Sequence, residues 1–465
     1  MTQLDKHALD HISRIHFIGI GGSGMFPLAQ ILNKEGFQLT GSDNNESDTL
    51  DLVRGMGIPV HLGHDAKNIE GAQMVVYTAA IPADNPELLA AKAAGIPTVE
   101  RAGMLGLISR RYRRSVCVSG THGKTTCSSM TAKILMDAGA DPSAVIGGKL
   151  KAIGGSGRVG NSDIFVCEAC EFKDTFLSLH SDIGVILNID EDHLDYFGTL
   201  DNIIKSFRTF AENNTGPIIF DGDDKNTRRA LAGLSKRLIS FGFGEGNAFR
   251  AVNPQVDGHM RYRYELVVGG KNMGEIVLGV PGMHNILNSL AAIAAAVELG
   301  VSIEVCRDSL AGFTGAGRRF EILGTIDGIT IADDYAHHPA ELKATLETAM
   351  NMGYGQVFAV FQPFTYSRTK ILFDDFVKVL SIPDRLVMSE IMGGREENTY
   401  GIYTADLAEK LPGSVWFPTF DEIADYVLKE AKPGDLVITL GCGDIYKAAK
   451  KMFQKAQEAG RDVKR

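Results

Sequence analysis

The stretch VSGTHGKTTC, residues 118 to 127, predicts how the middle of the chain is organised. The apolar run VCV leads into it, and the helical pattern KTTCSSMTAKILMDAG leaves it. A glycine-rich turn between a strand and a helix is typical of a phosphate-binding loop, because backbone N–H groups at the helix start point toward an anion. Its glycines, Gly120 and Gly123, are three residues apart, whereas the common G-x-x-x-x-G-K-[ST] loop separates them by five.

The loop residues have distinct expected roles. We expect Lys124 to reach the β- and γ-phosphates of a nucleotide and the Thr125 hydroxyl to approach Mg²⁺. The alternative is a glycine-rich turn with a solvated lysine. The residues assigned to the phosphate site are Gly120, Thr121, His122, Gly123, Lys124, Thr125 and Thr126.

Strand and helix patterns alternate on both sides of this loop. Before it, the apolar runs RIHFIGI, FQLTGSD, MVVYTAA and IPTVE are separated by helical patterns, and after it the same rhythm starts again near residue 315. Such alternation predicts parallel, doubly wound sheets. We therefore predict an α/β protein of three domains: a Rossmann-like domain over 1–113, a P-loop ATPase-like domain with an antiparallel addition over 114–317, and a second Rossmann-like domain over 318–465.

Composition excludes several classes of protein. The net charge of −10 does not suggest a nucleic-acid or membrane surface, and the polar N-terminus does not resemble a signal peptide. No apolar run approaches the roughly 18 residues of a membrane span. Six scattered cysteines in 465 residues are too few for a disulfide scaffold, so we expect a cytoplasmic protein.

A second glycine-rich segment, GIGGSG, follows the first apolar run. Gly19, Gly21 and Gly24 form G-x-G-x-x-G, and Asp43 lies about 20 residues further on, as in dinucleotide-binding folds. NAD is the usual ligand, but a UDP-sugar also supplies a diphosphate and a ribose, and a merely tight turn is the alternative. The residues assigned to this site are Gly19, Gly21, Gly22, Ser23, Gly24, Asp43 and Thr78.

Candidate metal ligands follow two strands of the central block. Glu168 ends the run DIFVCEA, and His193 lies in NIDEDHLD. Mg²⁺ prefers oxygen ligands, so a histidine is an unusual ligand for it. His193 is therefore interpreted either as a metal ligand or as an orienting or structural residue. The acidic residues around it also fit a solvated turn. Cys167 and Cys170 form a lone C-x-x-C, for which small core residues are a better interpretation than zinc ligands.

Polar residues also follow the strands of the third block. They occur in GAGRRFE, ADDYAHHP and FQPFTYSRTK, and include Arg318, Arg319, Asp333, Asp334, His337, His338, Tyr366, Ser367, Arg368 and Lys370. Strand ends of α/β sheets bind ligands, so we predict a ligand site here. Each residue has another interpretation: a helix cap for Asp334, a solvated charge for Lys370 and a linker salt bridge for Arg318.

The segments GTHGKTT, NIDEDHLD, PGMHNILNSLAA, GAGRRFE, DDYAHHP and FQPFTYSRT together resemble the Mur ligase family over essentially the whole chain. The resemblance implies a ligase of peptidoglycan synthesis with ATP, UDP-N-acetylmuramate and L-alanine as substrates and Mg²⁺ or Mn²⁺ as cofactor. HFIGIGGSGM and His122 are most similar to the member that adds L-alanine. The family's shorter loop, G-x-x-G-K-[ST], accounts for the glycine spacing.

The resemblance also implies roles for individual residues. Thr125, Glu168 and His193 match metal ligands, and the glycines of the loop from Gly19 to Gly24 match a UDP-sugar site rather than an NAD site. Lys124, His193, His338 and Arg368 match the catalytic centre, with His338 a candidate base for the incoming amine. The positions that match contacts with ATP outside the loop are His284, Asn285, Asn288, Arg319 and Asp334.

Two segments depart from the family pattern. Many relatives have E-A-D-E-S-D where this chain has EACEFKDTF, so Cys170 and Lys173 stand at two positions that are acidic in those relatives. Many relatives also have a histidine where this chain has Phe364, to which no polar role is given. Lys205 is not assigned as a modified lysine.

Three other functions fit part of the sequence. An NAD-dependent dehydrogenase fits the first 100 residues but leaves the P-loop, Glu168 and His193 unexplained, and a change in NADH absorbance would test it. A regulator that binds ATP and a UDP-sugar without joining anything is a second alternative. The third is a sister Mur ligase that adds another amino acid or a preformed peptide.

Overall fold

The computed structural model describes residues 7–258, 261–394 and 396–465, arranged in two compact units. The first unit holds the chain up to residue 253 together with residues 265–276 and 287–313. The second holds residues 254–264, 277–286 and 314–465.

A five-stranded parallel sheet begins the first unit. Its strands are β1 (Arg14–Ile18), β2 (Gln38–Asp43), β3 (Val60–Leu62), β4 (Met74–Tyr77) and β5 (Thr98–Glu100), in the order β3-β2-β1-β4-β5. Its helices are α1 (Phe26–Lys34), α2 (Asp48–Gly55), α3 (Pro86–Ala93) and α4 (Arg101–Ser109). The doubly wound pattern predicted from the alternating runs is therefore confirmed, and the short β3 is the strand that the sequence did not indicate.

A second, larger sheet surrounds the P-loop. Its strands are β6 (Arg114–Ser119), β7 (Ser143–Leu150), β8 (Gly155–Arg158), β9 (Ile164–Glu168), β10 (Ile183–Ile186), β11 (Ile218–Asp221), β12 (Leu238–Gly242) and β13 (Phe249–Val256), in the order β13-β12-β11-β10-β6-β9-β7-β8. The strands β14 (Arg261–Val268) and β15 (Lys271–Pro281) follow in the segment where the sequence predicts an antiparallel addition to the central domain. The helices are α5 (Lys124–Asp137), α6 (Leu194–Phe197), α7 (Leu200–Asn213), α8 (Lys225–Leu231), α9 (His284–Glu298) and α10 (Ile303–Ala311).

Helix α1 joins the two sheets of the first unit. At its C-terminal end, Lys34 Nζ donates to the carbonyl oxygens of Val159 (3.3 Å) and Gly160 (3.1 Å). Near its start, Pro27 packs so closely on Gly157 in β8 that a Cβ there would lie 2.7 Å from the Pro27 Cβ. Glycine at 157 is therefore required by the approach of the helix.

The second unit contains a seven-stranded sheet. Its strands are β16 (Glu321–Ile326), β17 (Ile329–Asp334), β18 (Val357–Phe361), β19 (Arg385–Ser389), β20 (Val415–Phe417), β21 (Leu436–Leu440) and β22 (Val463–Lys464), in the order β20-β19-β18-β21-β17-β16-β22. Its helices are α11 (Pro339–Met350), α12 (Tyr366–Ile371), α13 (Phe373–Leu380), α14 (Thr404–Lys410), α15 (Phe420–Glu430) and α16 (Tyr446–Glu458). Alternate residues of β18, such as Phe358 and Phe361, enter two different cores, as expected for a strand covered by helices on both faces.

Across the described ranges, no helix combines the length and the apolar character that crossing a membrane requires.

Candidate functional site

The conformation of the P-loop depends on its two glycines. Gly120 has φ 138° and Gly123 has φ 87°, both in the range that favours glycine. A Cβ on Gly120 would lie 2.9 Å from the Leu187 Cβ, and a Cβ on Gly123 would collide with the Asn288 side chain. The close approach of neighbouring segments therefore requires glycine at both positions of this shorter loop. Thr126 lies half-buried in the first turn of α5.

Asn188, which follows β10, holds the tip of the loop. Its Oδ1 accepts a hydrogen bond from the His122 N–H (2.8 Å), and its Nδ2 donates to the His122 carbonyl (3.1 Å). The Thr121 hydroxyl accepts from the N–H of Asp190 (2.9 Å), whose carboxylate lies 3.8 Å from His122 Nε2. The backbone of His122 is thus fixed in a turn, with its ring beside an acidic residue. The role of Asn188 was not predicted, although it opens the segment NIDEDHLD.

The Lys124 ammonium folds back over its own loop. Nζ donates to the carbonyl oxygens of Gly120 (2.5 Å) and Thr121 (3.1 Å), and it forms an ion pair with Glu171 (2.9 Å). Burial is the largest single effect and lowers the pKa of this ammonium, but the charge and hydrogen bond of Glu171 together with the charges of Cys170 and Glu168 outweigh burial, so the pKa lies above its usual value. The P-loop lysine is therefore charged and paired with a carboxylate in this structure.

Two of the three predicted metal ligands are in contact. The Thr125 hydroxyl donates to Glu168 Oε2 (3.2 Å), while Oε1 accepts from Ser128 Oγ (3.3 Å) and from the Gly147 N–H (2.6 Å). The start of α5 and the end of β9 bring these groups together. Glu168 is thus oriented by three donors beside the P-loop.

His193 occupies a strained turn before α6. Its φ of 53° is rare for a residue with a side chain, and such strain often marks functional sites. The centre of its ring lies 4.5 Å from that of the Phe172 ring, with the two planes tilted by 39°, and Nε2 lies 3.7 Å from Asp192 Oδ2. Among residues 7–258, 261–394 and 396–465, no group of three or more His, Cys, Asp or Glu side chains is placed to hold a metal ion.

The lone C-x-x-C divides between two environments. Cys167 is fully buried, and its Sγ lies 3.5 Å from that of Cys117 on the adjacent strand. Cys170 is half-buried beside Lys124 and Glu171. Both cysteines are free thiols, so the interpretation as core residues fits Cys167.

The first glycine loop is joined to the end of β2. Gly19 has φ 80°, and a Cβ there would meet the Thr78 methyl group at 2.6 Å. The Gly21 N–H donates to Asp43 Oδ2 (3.0 Å). Gly22 donates its N–H to the Gly19 carbonyl (3.1 Å) and so closes the turn. Asp43 therefore holds the loop through a hydrogen bond with its backbone.

Beyond this loop, Ser23 and the central sheet are also in contact. The Ser156 hydroxyl donates to the Ser23 carbonyl (3.3 Å). Both glycine-rich loops therefore belong to one packed unit.

A buried polar cluster lies within the same sheet. Glu87, fully buried at the start of α3, accepts hydrogen bonds from Ser42 Oγ (2.6 Å) and Asn68 Nδ2 (2.5 Å), and His16 Nε2 lies 3.4 Å away. Burial raises the pKa of Glu87, but the hydrogen bonds from His16, Ser42 and Asn68 and the charge of His16 together outweigh burial and lower it to about 2. The sequence did not predict this cluster, because Glu87 has the position of an ordinary first-turn acid.

Arg318 joins the ends of two neighbouring strands of the second unit, β17 and β21. Its Nε donates to the buried Asp333 (2.8 Å), and its two terminal nitrogens donate to the carbonyls of Gly441 (2.5 Å) and Gly443 (3.2 Å). The guanidinium also lies over the Tyr335 ring at 5.0 Å. Arg318 thus forms a salt bridge, but with a partner in its own unit, Asp333.

Arg319 lies between two residues in left-handed conformations, Arg318 (φ 59°) and Phe320 (φ 48°). The Asp334 carboxylate stabilises this strained turn by accepting from the N–H groups of Phe320 (2.6 Å) and Ala336 (2.7 Å). Burial raises the pKa of Asp334 to about 6, although Arg319 acts in the opposite direction. Asp334 is therefore a loop-stabilising carboxylate and not the cap of α11.

The cap of α11 is His338. Its Nδ1 accepts from the Ala340 N–H (3.3 Å), and Glu341 accepts from the His338 N–H (3.4 Å), which completes a capping box. Arg368 lies in α12, which follows the cap residue Thr365. Burial raises the pKa of the nearby Cys442 thiol to about 12, and the positive charge of Arg368 opposes part of that rise.

The residues assigned to the adenine region lie at the start of α9. Asn285 Nδ2 donates to the Pro281 carbonyl (2.7 Å), and Asn288 packs against Gly123. His284 is exposed. The structure thus brings Asn288 to the P-loop, while Asn285 holds the turn before its own helix.

A charged lysine and an oriented carboxylate beside a strand–loop–helix turn are typical of P-loop nucleotide-binding proteins. The chain belongs to the Mur ligase family. Family models match it in three parts: "Mur ligase family, catalytic domain" over residues 14–113, "Mur ligase middle domain" over 118–296 and "Mur ligase, glutamate ligase domain" over 318–443. The predicted family and the predicted α/β fold class are confirmed.

Individual relatives extend over nearly the whole chain. It is 42% identical over 453 residues to a UDP-N-acetylmuramate–L-alanine ligase of Caldanaerobacter subterraneus subsp. tengcongensis, with 96% of this chain and 98% of that protein covered. It is 44% identical over 448 residues to the Lachnospira eligens ligase of the same description, with 95% and 98% covered. The crystal structure of a Thermotoga maritima UDP-N-acetylmuramate–alanine ligase is 26% identical with a TM-score of 0.81, covering 96% of this chain and 99% of that one.

Proposed function

We propose that the chain is an ATP-dependent ligase that joins L-alanine to the lactyl carboxylate of UDP-N-acetylmuramate during synthesis of peptidoglycan precursors in the cytoplasm. The observation that carries this proposal is the presence of two glycine-rich phosphate loops, which begin at Gly19 and Gly120, in one compact unit. Such a ligase must bring a sugar nucleotide and ATP together, whereas a dehydrogenase has no use for the second loop. The full-length relatives support the same activity.

The proposed division of labour follows the three predicted domains. Residues 1–113 bind the UDP-sugar through the first glycine loop, Asp43 and Thr78. Residues 114–317 bind ATP through the P-loop, His284, Asn285 and Asn288. Residues 318–465 present the amino acid and contact ATP through Arg319 and Asp334.

The donors at the P-loop fit a magnesium ion, or Mn²⁺ in its place. The Thr125 and Glu168 oxygens are 3.2 Å apart, close to the separation of about 3 Å between adjacent ligands of an octahedral ion with ligand distances of 2.0–2.1 Å. His193 is the proposed third ligand. When bound, the ion supplies positive charge that stabilises the phosphate during transfer.

In the proposed mechanism a carboxylate oxygen of UDP-N-acetylmuramate attacks the γ-phosphorus of ATP, ADP leaves, and an acyl phosphate forms. Lys124 stabilises the charge on the phosphates. To do so, its ammonium must leave the Glu171 carboxylate and bind phosphate oxygens instead. The amine of L-alanine then attacks the acyl carbon, and the tetrahedral intermediate expels phosphate. The amine also loses a proton, for which His338 is the candidate base, and Arg368 lies near the phosphate that leaves. Exclusion of water protects the acyl phosphate from hydrolysis.

The test is phosphate release from ATP in the presence of UDP-N-acetylmuramate and a panel of amino acids. We expect release that requires both the sugar nucleotide and L-alanine, with glycine and L-serine as weaker substrates. Product analysis by mass spectrometry separates a ligase from a regulator that only binds the two nucleotides. Phosphate release that does not depend on UDP-N-acetylmuramate defeats the proposal, and preference for a preformed peptide favours the sister ligase.

A further inference from the structure

Arg101 occupies an electrostatically unfavourable position. It is the first residue of α4, where the helix dipole attracts negative rather than positive charge. The first turn of α4 contains no acidic residue, and the side chain of the preceding Glu100 does not cap the helix. A residue that breaks a local rule in this way without a structural gain is a candidate for binding.

The Arg101 side chain lies against the last glycine of the first loop. A Cβ on Gly24 would be 3.1 Å from Arg101 Cδ, 3.4 Å from Nε and 3.5 Å from Nη1. Helix α1 begins two residues later, and its N-terminal turn has neither an acidic residue nor a side-chain cap. The guanidinium and the N–H groups of the glycine loop therefore face the same space.

Cys170 places the same guanidinium close to the second loop. Burial raises the pKa of the Cys170 thiol, and the positive charges of Lys124 and Arg101 both act in the opposite direction. The Arg101 guanidinium thus lies against the first loop, and its charge also acts on a residue next to Glu171, the partner of Lys124.

The half-buried Arg101 side chain makes no hydrogen bond or ion pair with any residue in the part of the chain that the structure describes. Buried or half-buried arginines are normally paired, as Arg318 is with Asp333 and two carbonyls. The Arg101 guanidinium lies beside a glycine loop and has no protein partner there among the described residues, so it is a candidate to bind an anionic ligand.

We propose that Arg101 binds the diphosphate of the sugar nucleotide, an inference that rests on the proposed function. The guanidinium offers paired N–H donors that match two phosphate oxygens. The diphosphate is favoured over the lactyl carboxylate, because Gly24 ends the loop at the start of α1, where G-x-G-x-x-G folds hold a diphosphate. Arg101 adds a side-chain charge to a site otherwise formed by backbone N–H groups.

The test is calorimetric titration of the full-length protein with UDP and with UMP. We expect Arg101→Ala to weaken UDP binding by about ten- to a hundredfold, the usual effect of losing a charged hydrogen-bond pair. We expect a much smaller effect on UMP, which lacks the second phosphate, and ATP affinity within twofold of wild type. Arg101→Lys is expected to be intermediate, because an ammonium cannot form the paired contact.

The matched control is Arg110→Ala, which removes an exposed arginine at the other end of α4. Wild-type UDP affinity in Arg101→Ala, or a rise only in the KM for UDP-N-acetylmuramate, would overturn the assignment to the diphosphate. Failure of the wild-type protein to bind UDP would instead contradict the proposed function. If Arg101→Ala does not fold, unchanged UDP affinity in Arg101→Lys decides against the inference.

Discussion

At the scale of single residues, Lys124 is the group on which the proposed chemistry depends most. We expect Lys124→Ala to lower ATP-dependent phosphate release by at least about 10²-fold, because the charge that stabilises the transferred phosphate is lost. UDP affinity should stay within twofold of wild type, since the first loop is untouched. The control is Lys133→Ala on the same helix, which removes a lysine paired with Asp137. Normal turnover in Lys124→Ala would rule out the P-loop assignment.

Glu171 competes with phosphate for this lysine. We expect Glu171→Gln to bind ATP several-fold more tightly, because Lys124 no longer has to leave a carboxylate. The nucleotide-free variant should be less stable, since a buried ammonium has lost its partner. Thermal unfolding with and without ATP measures both effects, and the difference from wild type should shrink at saturating ATP. Weaker ATP binding in this variant would mean that Glu171 assists the nucleotide instead of competing with it.

Asp334 should make the ATP site sensitive to acid. Its pKa of about 6 means that protonation begins near neutral pH and removes the charge that holds the strained turn around Arg319. We expect the KM for ATP to rise as pH falls through about 6, and Asp334→Asn to show a high KM without this pH dependence. Steady-state kinetics between about pH 5 and 8 tests this.

The same pKa predicts an opposite trend for stability. The pKa of Asp334 is raised from the usual value of 3.8, which means that the folded protein binds the carboxyl proton more tightly than the unfolded chain does. The protonated carboxyl therefore contributes to stability below pH 3.8, and this contribution is lost as pH rises to about 6. A KM for ATP that rises equally in wild type and Asp334→Asn would place the titrating group elsewhere.

At the scale of elements, the start of α11 depends on a residue that is also the candidate base. We expect His338→Ala to cost about 1 kcal/mol of stability through loss of the cap, and His338→Asn to cost little because asparagine is a good cap. Both variants should lose turnover if the ring takes part in catalysis. Urea unfolding followed by the fluorescence of Trp416, the one tryptophan of the sequence, separates the two effects. Full activity in His338→Asn would leave the histidine a purely structural role.

Local patterns predicted most of the elements. The starts of α5 and α11 follow from Gly123 and Pro339. Apolar runs indicated β1, β2, β4 and β5 of the first sheet and β6 and β9 of the second, but not β7 or β11. The contact between Thr125 and Glu168 was expected, because both lie at strand or helix ends around one loop. Short edge strands such as β3 carry too few residues for a pattern.

Pairings between distant segments could not be predicted in the same way. The clamp of Asn188 on His122 joins residues 66 positions apart, and the pairing of Glu171 with Lys124 joins residues 47 apart. Asn188 and Glu171 do not belong to any sequence motif that indicates these pairings, because the pairings depend on how β9 and β10 lie beside β6. Arg101 was missed for the same reason, because its contact with Gly24 exists only after the first sheet has formed.

At the scale of the whole molecule, ligand binding should be visible as stabilisation of one unit. We propose that UDP binds to the unit that holds the first glycine loop, so UDP should raise the unfolding temperature of that unit by mass action. Trp416 lies in β20 of the other unit and reports on that unit's unfolding. We expect UDP to shift the main calorimetric transition while the midpoint seen by Trp416 fluorescence stays within about 1 °C. Equal shifts by both methods would show that the two units unfold together.

Helix α1 contacts the first glycine loop at one end and Gly157 along its side. A side chain added at 157 would collide with Pro27, and we expect the start of α1 to shift away from it, although residue 157 is more than a hundred positions away from the loop in sequence. In a genetic screen, such alleles would have the phenotype of a weakened sugar-nucleotide site and would be temperature-sensitive. The residues that decide how well this chain uses its first substrate therefore include some that never touch it.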